Sequence, residues 1–189
     1  MTLDLATLTD GELAALSNAG RDAAFAEIMR RYGDPVYRIV AGNIGDADEA
    51  LDLVQETFIA AHRSLARFDA DRPMRRWLAT IALNKCRDWR RRRAVRRLFA
   101  FAVPLDNGAM HIAEDRALPD AEVLARQEME RVARAIADLP ASLREPLVLR
   151  TLQDMSQAEV AATLSITEKA VETRVRRARI RLAERLAGS

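Results

Sequence analysis

Apolar side chains recur at intervals of three and four residues along almost the whole chain, and this spacing constrains the fold more than any other feature. It places the apolar residues on one face of an α-helix. No segment alternates apolar and polar residues between turn signals, as a half-buried strand would. The sequence therefore predicts an all-α protein.

The helical periodicity fails between residues 98 and 119, where prolines and an Asn-Gly pair interrupt it. We interpret residues 98–119 as a flexible linker. Residues 1–97 and 120–189 then form two small helical domains, as the length of 189 residues allows.

Cap residues and prolines set the predicted helix boundaries. We expect a helix from Asp22 to be interrupted at Gly33-Asp34-Pro35 and to restart after it. Asp46 and Glu49 resemble a capping box that opens the next helix. Its predicted buried stripe consists of Leu51, Val54, Phe58 and Ile59.

The opposite face of that helix carries Asp48, Asp52, Gln55 and Glu56. Spacing alone leaves two interpretations open, a solvated acidic surface or a docking surface for a basic partner. A polar loop follows at residues 67–73, and a long helix then runs from about Met74 to Arg97.

Charge is strongly segregated along the chain, although the formal net charge is only +2. Residues 1–66 carry a net charge of −6, whereas residues 85–97 carry +7 and the arginine cluster at residues 174–185 carries +5. The two basic clusters predict contacts with phosphate, and the acidic segment between them separates two binding sites.

The second domain has the pattern of a helix-turn-helix. Ser142 and Glu145 resemble a capping box, and Ser156 and Glu159 form a second one before a short helix. Thr167 is predicted to cap a last, basic helix with Val171, Val175, Ala178 and Leu182 inward. A short helix, a tight turn and a basic helix are typical of DNA binding, although helical hairpins also occur in proteins without that function.

Several function classes are disfavoured. One cysteine and two histidines supply neither a disulfide nor a zinc site, and no phosphate-binding glycine loop or catalytic constellation appears. We expect no enzyme activity, no cofactor and no small-molecule substrate. The absence of a signal sequence or apolar span predicts a cytoplasmic protein without membrane insertion.

The motifs in their order resemble bacterial sigma factors of the extracytoplasmic-function class. In the first half, Asp52-Leu53-Val54-Gln55-Glu56-Thr57-Phe58 resembles the motif that binds core polymerase, and Trp77-Leu78 with Asn84, Asp88 and Arg91-Arg92-Arg93 resembles the promoter-melting helix. In the second half, the matching residues are Leu139-Pro140, Arg144-Glu145, Leu149-Arg150, Ser156, Glu159-Val160-Ala161, Arg177-Ala178-Arg179 and Leu182.

This resemblance implies a protein that binds RNA polymerase core enzyme, recognises and opens promoters, and is held inactive by an anti-sigma protein. The residues expected to contact the polymerase are Asp48, Asp52, Gln55 and Glu56. Those expected to hold the single-stranded −10 element are Arg67, Phe68, Asp69, Arg72, Trp77, Asn84, Lys85, Arg87, Arg90 and Arg91. Those expected to contact the −35 duplex are Thr167, Glu168, Lys169, Ala170, Glu172, Thr173, Arg174, Arg176 and Arg177.

Some positions depart from the family pattern. An acid is common where Leu51 stands, a glycine where Ser165 stands, and Gly-Thr where Lys169-Ala170 stands. Trp77 and Phe68 have two open roles, stacking on bases or filling the core. The alternative function is a stand-alone helix-turn-helix regulator whose first half senses a ligand.

Overall fold

Eight α-helices and two short 3-10 helices, Leu5–Thr7 and Leu65–Arg67, make up the regular structure of residues 3–100 and 120–187, the residues that this computed structural model describes; no strand occurs among them. We call residues 3–100 the first domain and residues 120–187 the second domain. The first domain contains α1 (Asp10–Asn18), α2 (Asp22–Ile44), α3 (Ala47–Ser64) and α4 (Met74–Ala100). The second contains α5 (Asp120–Ala137), α6 (Ala141–Thr151), α7 (Gln157–Leu164) and α8 (Glu168–Ala187). Within these residues no helix combines the length and apolarity needed to cross a bilayer.

The prediction of an all-α protein is confirmed, and several predicted caps are present. Ser156 and Glu159 form the reciprocal capping box of α7, with hydrogen bonds of 3.2 and 2.7 Å. The Thr167 hydroxyl accepts a hydrogen bond from Ala170 N at the start of α8. Asp46 caps α3 through Glu49 N, but Glu49 does not complete the box because its carboxylate accepts from Trp89 Nε1 at 2.8 Å.

Helix α2 continues through Pro35, so the predicted interruption at Gly33-Asp34-Pro35 is wrong. A proline inside a helix removes one backbone hydrogen bond and costs about 3 kcal/mol. Helix α2 buries apolar side chains on both sides of that position, and this packing offsets the cost. The side chains are Phe25, Ile28, Val36, Ile39 and Val40.

The buried stripe of α3 also differs from the prediction. Leu51 and Ile59 are 56% and 51% exposed, whereas Leu53 and Phe58 are buried. The helix is rotated so that small residues, such as Ala50 and Ala61, lie in the contact with the rest of the domain. Two large apolar side chains therefore remain on the surface of α3.

In the second domain, the predicted capping box of Ser142 and Glu145 is absent. Helix α6 begins at Ala141 after Pro140, and no side chain caps its start. Glu145 lies within the helix and is buried. Its carboxylate is instead bound by an arginine of the first domain, as described below.

Three residues of the predicted linker, 98–100, belong to the described part of the chain. Helix α4 extends to Ala100, so residues 98–100 are helical. Residues 101–119 lie outside the described residues.

The two domains are packed together. One continuous cluster of buried apolar side chains includes residues of both. Gly42 of α2 allows a close approach, because a Cβ there would lie 2.9 Å from Leu152 Cδ1 and 3.1 Å from Val148 Cγ2. At Gly45, which ends α2 with φ +71°, a Cβ would lie 2.5 Å from Ala137 Cβ. The contact therefore depends on two positions that lack side chains.

A cluster of ion pairs and hydrogen bonds holds residues 5–10 against α2. Arg31 pairs with Glu27 at 2.8 Å and with Asp10 at 3.3 Å, and it also binds the carbonyl oxygens of Leu5 and Ala6. Arg30 pairs with the same Glu27 carboxylate at 2.7 Å. Hydrogen bonds from Arg30 and Arg31 lower the pKa of Glu27 to about 2.

We expect Glu27→Gln to lower the free energy of unfolding near pH 7 and to weaken its dependence on acid. Because the folded pKa of Glu27 lies below its ordinary value of 4.5, its stabilising contribution is complete above that pH and is lost as the pH falls toward 2. The two proteins should therefore differ most near neutrality and converge in acid. Urea denaturation across this pH range measures the difference, with Asp34→Asn, an exposed acid of the same helix, as the control. Parallel pH profiles for Glu27→Gln and wild type would contradict the expectation.

Candidate polymerase and nucleic-acid interfaces

The acidic face of α3 is largely exposed. Asp48, Asp52 and Gln55 are exposed, and among the described residues the side chains of Asp48 and Asp52 make no hydrogen bond or ion pair. The exposed Leu51 and Ile59 lie on the same helix. This surface therefore combines unpaired carboxylates with apolar area, a composition suited to a basic partner that also has an apolar contact.

Glu56 differs from the other members of this face. Its carboxylate pairs with Lys85 of α4 at 3.2 Å and lies 3.9 Å from Arg92. Lys85 is a predicted contact of single-stranded DNA. The acidic and basic surfaces of the first domain thus meet at Glu56.

The loop before α4 brings together the predicted aromatic contacts. The rings of Phe68 and Trp77 lie 5.2 Å apart at a tilt of 51°, and both side chains are half-buried against the core. Trp89 is buried. In the same loop Arg67 is exposed and Arg72 pairs with Asp69 at 3.0 Å.

The outer face of α4 carries the predicted phosphate contacts. Arg91 is exposed and pairs with Asp88 at 2.8 Å. Arg87 donates to Asn84 Oδ1 at 3.1 Å, and both residues lie on the surface. Asn84, Lys85, Arg87 and Arg91 therefore form a continuous polar surface along this helix, with Arg90 half-buried beside it.

Two of these arginines contact the second domain. Arg87 binds both carboxylate oxygens of Glu145, at 2.8 and 2.6 Å, and this pairing raises the pKa of Arg87. Arg90 donates to the carbonyl oxygen of Asn43 at 2.6 and 3.0 Å and to that of Ala137 in the second domain. In this arrangement their donors are occupied by protein.

Arg144 of α6 contributes to the contact between the domains from the side of the second domain, and it is only 2% exposed. Its Nε donates to Asn43 Oδ1 at 3.2 Å across the domain contact, and its Nη1 donates to the carbonyl oxygens of Ala137 and Leu139. Burial, followed by repulsion from Arg90, lowers the pKa of Arg144 to about 10. Carbonyl oxygens thus take the place of a counter-charge at this buried guanidinium.

The nearby Cys86 is buried among these groups. Burial raises the pKa of its thiol to about 12. The thiol therefore stays protonated at neutral pH and acts as a packing residue.

Helices α7 and α8 have the arrangement of a helix-turn-helix. Ser165 ends α7 with φ +55°, the left-handed conformation in which a glycine is usual, and Gln157 Nε2 donates to Glu168 O across the turn at 2.9 Å. Val171, Val175 and Ala178 of α8 are buried as predicted, and Leu182 is half-buried. The turn therefore sets the orientation of α8 relative to α7.

The other face of α8 is available to a ligand. Lys169 pairs with Glu172 at 2.9 Å on the surface. The first turns present short or polar side chains, and the arginines follow one turn later. The exposed residues are Thr167, Glu168, Lys169, Glu172, Arg176 and Arg177, and the half-buried ones are Ala170, Thr173 and Arg174. This order suits base edges near the helix start and phosphates beyond it.

The sequence did not indicate the contact between the domains. The spacing predicts a cap at Glu145, and the sequence assigns no partner to Arg144 or Asn43. One signal was present, since Arg144-Glu145 lies inside the apolar segment 143–149, where charged residues need partners.

Comparisons with known proteins agree with this arrangement. Residues 28–96 match Sigma-70 region 2, and residues 129–182 match Sigma-70, region 4. The RNA polymerase sigma factor CnrH of Cupriavidus metallidurans is 39% identical over 92% of this chain and 92% of its own length. The ECF RNA polymerase sigma factor SigW of Bacillus subtilis is 31% identical over 88% of this chain and 91% of its own length.

A solved structure, that of CnrH in complex with the cytosolic domain of CnrY, covers 95% of this chain and 98% of its own, with a TM-score of 0.69 and 34% identity. Both halves of the chain and their order are therefore shared with these proteins. The chain belongs to the RNA polymerase sigma factors of the ECF class.

Proposed function

We propose that this chain binds RNA polymerase core enzyme, directs it to a subset of promoters and helps to open them. The observation that carries the proposal is the presence of three separate surfaces on one chain. These surfaces are the acidic and apolar face of α3, the basic and polar face of α4, and the exposed start of α8.

Each surface has a chemistry that suits one partner. The carboxylates Asp48, Asp52 and Glu56, with Gln55, suit a basic surface of the polymerase clamp. The residues Arg67, Phe68, Asp69, Arg72, Trp77, Asn84, Lys85, Arg87, Arg90 and Arg91 suit single-stranded DNA, which needs phosphate contacts and stacking surfaces. Helix α8 suits the major groove of the −35 duplex.

We also assign this chain a dedicated anti-sigma protein. The similar CnrH structure contains the cytosolic domain of CnrY, and a partner of that kind would regulate the chain from outside. Purification of the chain from its host, followed by identification of the proteins that accompany it, tests the assignment. A co-purifying protein that leaves the chain's affinity for core polymerase unchanged would contradict it.

Reconstituted transcription separates the proposed function from a stand-alone regulator. We expect core polymerase free of any other sigma factor to start transcripts at defined sites on host genomic DNA only when this chain is added. A stand-alone regulator would instead require polymerase that already carries a sigma factor. Absence of chain-dependent starts with core enzyme, together with an effect on complete holoenzyme, would overturn the proposal in favour of the regulator.

A further inference from the structure

The contact between the domains contains an excess of positive charge. Three guanidinium groups meet there, those of Arg87, Arg90 and Arg144, and the one carboxylate that binds them in the described part of the chain is Glu145. The other hydrogen bonds of these guanidinium groups go to neutral oxygens, which carry only partial charge: backbone carbonyls such as that of Ala137, and the side-chain amides of Asn43 and Asn84. Such a contact is specific in geometry, but a polyanion would be a better counter-charge for the arginines of α4 than a single carboxylate.

The second domain covers one face of α4 and leaves the other candidate interfaces open. Arg76 donates to Ala162 O at 3.0 Å, Arg87 binds Glu145, and Arg90 binds Ala137 O. These three positions share one side of the helix, since they are separated by eleven and three residues. Asp48 and Asp52 of α3 and the start of α8 remain exposed.

We propose that the second domain is an intramolecular lid on the single-stranded-DNA surface of the first domain. In the closed form, Glu145 occupies the Arg87 guanidinium that would otherwise bind a DNA phosphate. Ala137 O accepts one hydrogen bond from Arg90, whose guanidinium also donates to Asn43 O of the first domain. Phosphates of the melted strand compete for the same donors, so binding of single-stranded DNA and release of the second domain are one equilibrium. This inference rests on the proposed function of the α4 surface.

Gly42 allows the lid to be tested without changing any charged residue. A side chain at Gly42 meets Leu152 and Val148 of the second domain, whereas a Cβ at Gly33, in the same helix, has nothing within 4 Å. Glutamine is neutral and favours a helix over glycine. Gly42→Gln is therefore a wedge between the domains, and Gly33→Gln is its matched control.

The experiment uses the full-length chain and two measurements. Small-angle X-ray scattering measures the separation of the domains, and fluorescence anisotropy measures binding to a short mixed-sequence single-stranded DNA. We expect Gly42→Gln to increase the radius of gyration and to bind the strand about tenfold more tightly, because the closed fraction no longer reduces the apparent affinity. Gly33→Gln should match wild type in both measurements, and the gain should disappear in Gly42→Gln/Arg87→Ala.

Glu145→Gln provides a second test that does not depend on the fold of the Gly42 variant. It removes the carboxylate from Arg87, so we expect the same expansion and the same direction of change in affinity. Failure of both variants to expand, or expansion with unchanged affinity for a strand that they do bind, would overturn the lid. If no variant binds the strand, including the expanded ones, the assigned role of the α4 surface is wrong, and scattering still decides whether the chain is closed.

Discussion

Asp52→Arg is expected to weaken binding to core RNA polymerase by about 100-fold and to reduce chain-dependent transcription accordingly. Asp52 is exposed at the centre of the acidic face of α3. Reversal of its charge replaces an attraction by a repulsion against a basic partner, and like charges across an interface cost several kcal/mol. A 100-fold loss corresponds to about 2.7 kcal/mol. Titration of labelled core enzyme with the variant measures the effect.

Glu56 is the less suitable target on this face. Its pairing with Lys85 and its proximity to Arg92 mean that Glu56→Arg would place a third cation beside them and would change the basic surface of α4 as well as the interface. Asp34→Arg is the matched control, since Asp34 is exposed on α2 and its reversal changes the net charge equally. Undiminished polymerase binding by folded Asp52→Arg would remove the acidic face from the interface.

The second large effect is expected at the recognition helix. Replacement of both Arg176 and Arg177 by alanine should lower the affinity for −35 duplex DNA by about 10- to 100-fold. Each lost phosphate contact also reduces the slope of log K against log salt by about 0.9, so the slope should fall by about 2. Filter binding at several salt concentrations gives both quantities. Arg38→Ala/Arg63→Ala, which removes two exposed arginines of the first domain, should change neither.

Asn84→Ala is the complementary variant. Asn84 lies on the α4 surface, where it accepts a hydrogen bond from Arg87, and it is distant in sequence from α8. We expect normal binding to the −35 duplex but less reaction of promoter thymines with permanganate, which detects melted DNA. Full permanganate reactivity with Asn84→Ala would refute a role of this side chain in opening.

Sequence alone predicted those parts of the fold that depend on local interactions. The capping box of Ser156 and Glu159 and the cap at Thr167 lie within four residues of their partners, so their geometry follows from spacing. The inward face of α8 likewise follows from the helical period. These elements locate the recognition helix without knowledge of the rest of the molecule.

Predictions failed where tertiary packing outweighs local preference. Pro35 predicts a helix break, yet the packing of buried apolar side chains before and after it keeps α2 continuous. On α3, the large apolar residues are predicted to be buried. The small Ala50 and Ala61 instead lie in the contact with the rest of the domain, and Leu51 remains on the surface. In both cases the deciding partner lies on another helix.

In the candidate site, too, the sequence predicts the local features but not the contacts between distant residues. The exposed residues of α3, α4 and α8 were identified from motifs, because a motif lies on one element. The pairing of Arg87 with Glu145 joins residues 58 positions apart, and the bond from Arg144 to Asn43 spans 101 positions. A single sequence carries no signal that connects such distant positions.

The apolar cluster that runs through both domains also determines how the chain loses its structure. Small domains bury a low fraction of their surface and are marginally stable alone, so each half gains stability from the surface that it buries on the other. Heat or denaturant then acts on the closed chain as one cooperative unit. Separation of the halves exposes that shared surface and leaves two units that melt independently, each at a lower temperature. The open, promoter-competent form is thus also the form most accessible to proteases.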